Sequence, residues 1–558
     1  MTYRSRPIYR ARPTLESALS RRDVLRMGTT IIPAGLILPA WLTAQAATAP
    51  STFDFYISPN GSDSNSGSLT DPWAITSLRT ASPNFSKLGG KRIALLPGTY
   101  NVSGLMQNSA VVGALQIPGG SPSSPTYLAS ADANGAYSPR TATLNAKTAS
   151  GIYGGAISKG AGSWDGPVVG HMGRYPSSYP TSNLVIDGLV ITGFSYKAIR
   201  IGASSSADGP SGITNVTVQN CEIFGGNCDA NPIDNCAAIW IDGCVGAVVT
   251  NNYIHDNVGP TGNSGDHLNA VIVWGPSDSS TTSGTVIQYN TCVNAGDIYG
   301  KEGGIQGTTV QNNYVDVSMY SINNSVSGIQ DFTGAKTSGL SQTTTIRNNI
   351  ILTGDWAIGR PTLSDSYGYS TPVICNNNTI VASSPQAFTA LWLTMEPAGQ
   401  GKLKCYNNIY TGTPENGGFG AFLLNPGGPS VWDYNFCIAT KMSWTLRTDA
   451  NLLNSIGTYT SQSAFASAMA AHGGISGAES HSIANDTPGF VGSGKFAAAY
   501  QLTGTSPAKG KGSTNGTPSG AATDIGAWGN GATQIGCNFA GGAAGGATVP
   551  MAPSLTVS

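Results

Sequence analysis

Apolar and polar residues follow one short pattern nine times in the middle of the chain. The pattern is apolar-x-Asn-Asn-x-apolar, and its copies are Val185–Val190, Val218–Ile223, Val249–Ile254, Ile287–Cys292, Val310–Val315, Ile346–Ile351, Cys375–Ile380, Cys405–Tyr410 and Trp432–Cys437. Asn fills a central position in every copy except the first, which has Asp187-Gly188. Aligned copies are 23 residues apart at the closest, from Asn290 to Asn313, and 38 at the widest, from Asn252 to Asn290. The pattern predicts a repeat with a constant turn and a variable loop.

A repeat of this kind is typical of a solenoid whose coils share a cross-section. We expect three short strands per coil and a two-residue turn, for which Asn is suited because it readily leaves the strand conformation. Stacked Asn side chains can hydrogen-bond one another and the backbone, which gives a ladder of satisfied buried amides. Coils stack at about 4.8 Å, so nine would span roughly 40 Å. The pattern therefore predicts an all-β parallel β-helix with an Asn ladder and about nine or more coils.

The composition agrees with strands and turns rather than helices. Charged residues make up 10% of the chain and Gly accounts for 73 residues, while Leu is sparse and the repeats lack a helical period, which argues against helical and leucine-rich repeats. A net charge of −1 gives no global field, so nothing favours a nucleic acid as partner.

The N-terminal segment has the features of an export signal. Basic residues lead into Ser20-Arg21-Arg22-Asp23-Val24-Leu25, an apolar run follows, and Ala44-Gln45-Ala46 provides a small-x-small cleavage site. The arginine pair resembles a twin-arginine signal. We expect residues 1–46 to be removed near Ala46, leaving a periplasmic or secreted monomer with no membrane segment. An uncleaved membrane anchor is the alternative, and Pro33 and Pro39 interrupt its apolar run.

Segments at both ends of the repeats resemble a known family. Near the N-terminus these are Phe53–Gly67 and Pro97-Gly98-Thr99-Tyr100, and near the C-terminus Asp486–Phe490 and Asp524–Gly529. They resemble exported right-handed parallel β-helix proteins of the pectate-lyase-like superfamily. The resemblance implies irregular first coils over 53–182, a regular right-handed β-helix over 183–440 and a capping segment over 441–530. A flexible Gly/Ala-rich tail would follow at 531–558.

All nine cysteines lie beyond residue 220, which fits an oxidising compartment without requiring disulfides. Cys228 and Cys236 share one loop-like segment and form the pair for which we predict a bridge. The remaining cysteines fall mostly at apolar repeat positions and are expected to be buried thiols.

Long inserts precede four predicted strands, and the outer face of those strands should form the floor of a groove. Superposing Asn251 on Asn312 places Lys301 level with Trp240 and Tyr299 level with Ala238. If Ile239 and Ile241 enter the core, alternation turns Trp240, Asp242, Tyr299 and Lys301 outward. A groove lined in this way predicts chemistry on an extended substrate.

A lysine on a groove floor suits a polysaccharide lyase, because β-elimination needs a base that is neutral at working pH. The resemblance implies Lys301 as that base, with Glu302 beside it and calcium as a cofactor held by Asp256, Asp266, Asp297 and Glu302. Lyases of this superfamily commonly pair the lysine with an arginine one coil away. Here the first arginine after Lys301 is Arg347, and Arg360 lies two strands further on. A solvated ion pair of Lys301 and Glu302 in a glycine turn is the structural alternative.

A second cluster combines His255 and Asp256 with Asp266 and His267, and could serve acid–base chemistry or bind substrate. Paired carboxylates among residues such as Asp242, Asp266, Asp297 and Asp331 would instead suit a glycoside hydrolase. Trp240, Trp274 and Trp356 are expected to stack on sugar rings. The sequence thus favours an exported polysaccharide lyase acting on a polysaccharide or oligosaccharide. A glycoside hydrolase and a non-catalytic glycan-binding or adhesin β-helix remain the alternatives.

Overall fold

The computed structural model describes residues 47–105, 114–151, 169–171, 182–202, 213–227, 236–258, 268–275, 282–301, 305–318, 328–330, 342–353, 356–359, 372–383, 389–394, 402–412, 419–424, 429–438, 442–447, 455–492 and 496–539. Only the backbone is described for residues 169–171, 301, 356, 389–394, 419–424, 447 and 455. The chain divides into two units, residues 1–44 and 45–558, and the described residues belong to the second. The predicted signal, residues 1–46, lies outside them. No helix among the described residues is long and apolar enough to cross a membrane.

The described strands form a right-handed parallel β-helix, as predicted, with three sheets of twelve strands each. The first sheet contains Phe55–Ile57, Arg92–Leu95, Thr126–Ser130, Leu184–Asp187, Val216–Gln219, Val248–Thr250, Val286–Gln288, Thr309–Gln311, Thr344–Arg347, Val373–Asn376, Leu403–Tyr406 and Pro429–Asp433. The second contains Gly98–Asn101, Ala142–Asn145, Val190–Thr192, Glu222–Phe224, Tyr253–His255, Thr291–Val293, Tyr314–Val317, Ile350–Thr353, Thr379–Ala382, Ile409–Gly412, Phe436–Cys437 and Ile483–Ala484.

The third sheet contains Leu115–Gln116, Val169–His171, Lys197–Gly202, Cys236–Asp242, Leu268–Trp274, Asp297–Lys301, Ile329–Gln330, Trp356–Gly359, Thr389–Thr394, Phe419–Leu424, Met442–Arg447 and Ser455–Tyr459. Its last strand pairs antiparallel and ends the stack. Two short pairs lie outside these sheets, Ile213–Thr214 with Cys244–Val245 and Gly512–Ser513 with Ala522–Thr523. The described α-helix is Gln462–Ala471, and short 3-10 helices span Ile75–Leu78, Phe85–Lys87, Ser103–Leu105 and Ala497–Tyr500.

The core is built from inward positions of all three sheets, each stacked on the same position of the next coil. In the first sheet Val249 pairs with Ile287, Ile287 with Val310, and the column continues along the sheet. Its later members are Ile346, Cys375, Cys405 and Trp432. All of these side chains are buried in one continuous apolar cluster. Branched side chains suit such a column because they pack well on a pleated surface.

In the first copy of the repeat, the turn lies one residue later than the sequence pattern predicts. Val218 pairs with Ile186, so the central pair of that coil is Gly188-Leu189 and not Asp187-Gly188. Gly188 has φ of +64°, and the following coil has Asn220 there with φ of +57°. The sequence is apolar on both sides of this turn, so two alignments fit the pattern equally. Glycine adopts the left-handed conformation without penalty and therefore replaces Asn at this turn.

The predicted Asn ladder runs through seven coils, formed by Asn252, Asn290, Asn313, Asn349, Asn378, Asn408 and Asn435. In each step the Nδ2 of one Asn donates to the Oδ1 of the next, at 3.0 Å between Asn252 and Asn290 and 3.2 Å between Asn408 and Asn435. The same Oδ1 also accepts the backbone N–H of the preceding Asn, and the same Nδ2 donates to a carbonyl of the preceding coil. Every amide is therefore satisfied although all are buried.

The outer residue of each turn has a different task from the inner one. It takes positive φ, between +54° and +58° from Asn312 to Tyr434. From Asn251 onward, where it is Asn, its side chain holds the C-terminal strap, which we define as residues 512–539. Asn407 donates to the carbonyl of Ser513 at 2.6 Å, Asn312 to that of Gln534 at 2.9 Å, and Asn251 to Oδ1 of Asn538 at 3.0 Å.

The strap runs back along the stack instead of ending at the last coil. As residue numbers in the strap rise from 513 to 538, the turn residues that they contact run back from Asn407 to Asn251. At the end of the strap, the ring centroid of Phe539 lies 3.6 Å from the guanidinium carbon of Arg140. The boundary predicted at residue 530 between cap and flexible tail therefore falls inside a segment that contacts the coils up to residue 539. The strap shields turn backbone that would otherwise face solvent.

The ladder ends on a buried carboxylate. Nδ2 of Asn435 donates to Oε2 of Glu479 at 3.2 Å, Nε1 of Trp432 donates to Oε1 at 2.8 Å, and the hydroxyl of Ser482 also donates to Oε2. Burial raises the pKa of Glu479 to about 7, against these three donors, which act to lower it.

The cysteines of the described residues are buried free thiols. Most occupy inward positions, as expected. Cys236 begins a third-sheet strand with its Sγ 3.6 Å from the carbonyl oxygen of Ser195, so it is not half of the predicted disulfide. Its predicted partner, Cys228, lies outside the described residues.

Replacing Asn313 by Ala should destabilise the fold strongly. The change removes the acceptor of two donors on Asn290 and leaves the carbonyl of Ile287 without its side-chain donor. Unsatisfied buried groups cost about 1–3 kcal/mol each, so we expect a loss of about 3 kcal/mol or more in denaturant unfolding. Asn312→Gly is the matched control in the same turn: it keeps positive φ, loses the bond to Gln534, and should cost about 1 kcal/mol. Equal losses in the two variants would contradict the ladder's role.

The stability of the chain should fall as pH rises from about 4.5 to about 7 because of Glu479. Its pKa is higher in the folded chain than its usual 4.5, so the folded state holds a proton that the unfolded state has released. The contribution is present below pH 4.5 and lost through pH 7, a change of about 3 kcal/mol. Glu479→Gln should flatten the unfolding free energy across this interval. An unchanged slope in the variant would show that other groups cause the dependence.

Candidate functional site

The candidate site lies on the outer face of the third sheet. Within Cys236–Asp242, the side chains of Ile239 and Ile241 enter the main core, as predicted. Trp240 points the other way into a separate apolar cluster, with Ala237, Ile272, Tyr299 and the edge of Trp274. The alternation expected for a strand therefore separates core and outer face at this point.

The register across this face differs from the prediction by two residues. Trp240 pairs with Ile272, and Ile272 with Tyr299. Asp242 pairs with Trp274, and Trp274 with Lys301, so Lys301 is level with Asp242 and not with Trp240. The coil that contains Lys301 has two extra residues between this strand and its Asn turn, which a superposition on the turns cannot detect. Because strand positions alternate between the two faces, a shift of two residues leaves Lys301 at an outward position of its strand.

Two cations that the sequence analysis missed lie on the same face. Nη2 of Arg200 is 2.7 Å from Oδ2 of Asp242, and both side chains are at most 3% exposed. Nζ of Lys197 lies 3.5 Å from the ring centroid of Tyr196 and 3.9 Å from that of Trp240. The signal was present, since Ala198-Ile199-Arg200-Ile201 matches Ala238-Ile239-Trp240-Ile241 position by position. The strand Lys197–Gly202 is not one of the strands after long inserts from which the groove is predicted.

The aromatic side chains of this face stack along the helix axis. The rings of Trp240 and Trp274 are 4.9 Å apart at an interplanar angle of 26°, and Tyr196 lies 6.3 Å from Trp240. We call Trp240, Trp274, Lys197, Arg200, Asp242 and Tyr299 the outer strip; Tyr196 borders it and belongs to the main core cluster. Its side chains are buried, except for that of Trp274, which is partly exposed. The sequence predicted an open groove floor, whereas the structure leaves Trp274 as the accessible surface of the strip.

Asp297 and Asp242 cannot act together as a hydrolytic pair. Asp297 is fully buried and accepts a hydrogen bond from Nε2 of Gln330. It lies two strands and four residues from Asp242, a separation of about 16 Å at ordinary strand spacing. Glycosidase carboxyl groups lie within about 10 Å of each other.

His255 and Asp256 belong to a different face. His255 lies in the second sheet, with Nδ1 at 2.9 Å from Asp256 and Nε2 at 3.3 Å from Glu222. Its ring stacks on Phe224 at 5.0 Å and on Tyr253 at 4.0 Å. Burial acts to lower the pKa of His255, but the hydrogen bonds to Asp256 and Glu222 outweigh it and raise the pKa. The structure therefore does not join His255 to the outer strip.

Several predicted site residues lie outside the described residues, namely Glu302, Asp266, His267, Arg360 and Asp331. Lys301 ends the strand Asp297–Lys301 and Trp356 begins the strand Trp356–Gly359, and the side chains of both lie outside the description.

The two predicted calcium ligands that are described do not form a site. Asp256 bonds His255 and Asn294 on the second sheet, whereas Asp297 bonds Gln330 on the third. In the described part of the chain, no group of three or more His, Cys, Asp and Glu side chains is placed to hold a metal ion.

Comparison with known proteins gives distant structural similarity alone. No family model matches the chain, and no curated protein matches its sequence. A pectate lyase, Pel9A, is 15% identical with a TM-score of 0.42 over 85% of this chain and 95% of its own. A rhamnogalacturonan lyase is 14% identical, with a TM-score of 0.39 over 63% of this chain and 87% of its own.

A surface adhesin of Streptococcus pneumoniae, PfbA, is similar to the same degree. It is 13% identical, with a TM-score of 0.40 over 65% of this chain and 82% of its own. Similarity at this level carries no argument about activity, and enzymes and an adhesin occur side by side.

Removing the carboxylate of Asp242 should destabilise the fold. Asp242→Ala leaves the buried guanidinium of Arg200 without its counter-charge, and we expect a loss of about 3–5 kcal/mol in the free energy of unfolding. Replacing both residues, Arg200→Met with Asp242→Leu, should recover most of that loss. If Asp242→Ala leaves stability unchanged, the pair is not structural and Asp242 becomes a candidate for chemistry.

Proposed function

We propose that this protein is an exported carbohydrate-active enzyme, and that it cleaves a uronic-acid polysaccharide by β-elimination. The observation that supports this most is the pairing of Trp274 with Lys301 at the accessible end of the outer strip. Trp274 offers a ring for a sugar to stack on, and the neighbouring strand brings a lysine to the same level and face. The coil stack continues on either side, which suits an extended chain of sugars.

In this proposal the neutral amine of Lys301 removes the proton from C5 of a uronate. The electron pair of the broken C5–H bond forms the second bond between C4 and C5. The bond from C4 to the glycosidic oxygen breaks at the same time. The leaving oxygen takes up a proton, so the polymer is cut without water being added. A nearby cation lowers the pKa of a lysine and so favours the neutral form that the step requires.

Arg200 does not complete this site. It lies three strands and two residues from Lys301, about 16 Å away at ordinary strand spacing. Its guanidinium is already paired with Asp242. Arg200 therefore orders the strip, and the group that neutralises the uronate is a residue outside the described part of the chain, with Arg360 as the candidate. Calcium remains a proposed cofactor, and no step given above depends on it.

Two other functions are the alternatives to this proposal. A hydrolase would need a second carboxylate near Asp242 or Asp297, and Asp266 and Asp331 are the candidates. A glycan-binding module needs no base, and burial of most of the strip with Trp274 accessible would suit it.

Export rests on the N-terminal segment, in which Arg21-Arg22 precedes an apolar run and Ala44-Gln45-Ala46. We propose a twin-arginine route to the periplasm or the exterior.

Incubation with a panel of uronic-acid and neutral polysaccharides separates these functions. A lyase gives unsaturated uronate, read by its ultraviolet absorbance, together with new reducing ends. Reducing ends without that absorbance contradict elimination and indicate a hydrolase. Lys301→Ala should lower kcat by about 10²–10⁴-fold, as expected for loss of a general base.

Two further variants calibrate that result. Trp274→Ala should raise KM by roughly 3–10-fold with a smaller change in kcat, the loss expected for one stacking contact. Lys404→Ala, on the exposed side of the first sheet, is the matched lysine control and should change neither parameter. If binding persists in Lys301→Ala and no panel member is cleaved by the unaltered chain, the protein is a binding module.

A further inference from the structure

The first described residue of the chain is held by a specific pair of hydrogen bonds. The backbone N–H of Ala47 donates to Oε1 of Gln219 at 2.7 Å, and Nε2 of Gln219 donates to the carbonyl of Ala47 at 2.8 Å. The methyl group of Ala47 packs against the apolar cluster of Tyr127 and Val185 on the outer face of the first sheet. A main-chain unit is thus clamped by one glutamine amide 172 residues away.

Behind Gln219 lies a buried carboxylate. Nε2 of Gln219 also donates to Oδ2 of Asp187 at 2.8 Å, and the side chain of Asp187 is fully buried. The other donors to Asp187 are neutral: the hydroxyls of Tyr127 and Tyr137, and Nδ2 of Asn220 at 2.7 Å. No cation of the described residues forms an ion pair with Asp187, although a buried carboxylate ordinarily requires one.

We propose that export processing cuts the chain after Ala46 and that the new α-ammonium group of Ala47 is held by Gln219 as the counter-charge of Asp187. Ala44-Gln45-Ala46 is the small-x-small site at which a signal peptidase of the host would cut, and hydrolysis of the Ala46–Ala47 amide with one water gives a carboxylate on Ala46 and this ammonium on Ala47. The proposal depends on the proposed export and not on the glycan activity.

The geometry favours a charged donor at this point. A hydrogen bond from Nε2 to the carboxylate polarises the amide of Gln219, which makes its Oε1 a stronger acceptor. An ammonium offers a charge-assisted bond there in place of the neutral N–H of an uncleaved chain. The other ionisable groups of this face include Tyr56, Tyr127, Tyr137, Arg140 and the Arg92–Asp54 pair. Burial and the charge of Asp187 raise the pKa values of the two tyrosines, so both are neutral.

Analysis of the full chain after export tests the cleavage. The protein is expressed with its own N-terminal segment in a Gram-negative host, and the first residue of the exported form is read by intact mass and N-terminal sequencing. We expect Ala47. An exported protein that starts elsewhere overturns this proposal alone, whereas an uncleaved chain confined to the cytoplasm overturns export as well. Neither result bears on the glycan assays.

The ammonium site is tested by comparing exported protein that starts at Ala47 with a chain that starts at Gln45. The second chain moves the charge two residues away. The Ala47 chain should have the higher Tm at pH 6, by about 1–2 °C for a chain of this length. An ammonium bound near a carboxylate stabilises the fold fully below its ordinary pKa of about 7.7–8.0, and that stabilisation is lost as pH rises from there through the higher pKa of the bound group. The two chains should therefore converge at pH 10.

Two glutamine variants identify the partner. Gln219→Leu in both chains should abolish the difference at pH 6. Gln311→Leu is the matched control, since Gln311 lies in the same column three coils further on and bonds Gln288 and Arg347. It should lower both chains equally and preserve their difference. Equal Tm values of the unaltered chains at pH 6, or a difference that survives Gln219→Leu, overturns the site.

Discussion

The need to satisfy buried turn amides governs this molecule. Each coil must bend between its first and second sheets inside a packed stack, where water cannot serve as the partner of an amide. An asparagine in every turn meets that need from Asn252 to Asn435, because each side chain accepts from the coil before it and donates to the coil after it. The ladder is therefore directional and must end on an acceptor, and Glu479 is that acceptor. A carboxylate that is costly to bury is retained because it closes seven coils of hydrogen bonds.

This constraint divides the cross-section into a constant and a variable side. The turn between the first and second sheets is fixed by the inner Asn, and the strap covers it through the outer one, so loops cannot be inserted there. Length varies instead before and after the third sheet, where each coil is free to differ. The outer strip occupies this variable side, so chemistry can change there without disturbing the ladder.

The buried charged groups of the chain are also held by specific partners. The chain has few charged residues, and where they are buried they are paired or capped in particular ways. Arg200 has Asp242 as its counter-charge, Lys197 has the rings of Tyr196 and Trp240, and Glu479 has three neutral donors. Asp187 is held by neutral donors at the end of the stack where the chain begins, and the ammonium proposed there would complete the pattern.

The sequence by itself determined the solenoid, the inner Asn column and the outward direction of Trp240, because a period of two and a recurring turn are local properties of the chain. It did not determine the register of Lys301, the pairing of Arg200 with Asp242 or the path of the strap. Those depend on insert lengths and on contacts between residues as far apart as Asn251 and Asn538. The sequence also grouped His255 with the groove residues, whereas His255 ends a strand of the second sheet. Closeness in sequence does not show which sheet a residue joins. Periodicity fixes which way a side chain points, but only the folded stack decides which side chains it meets.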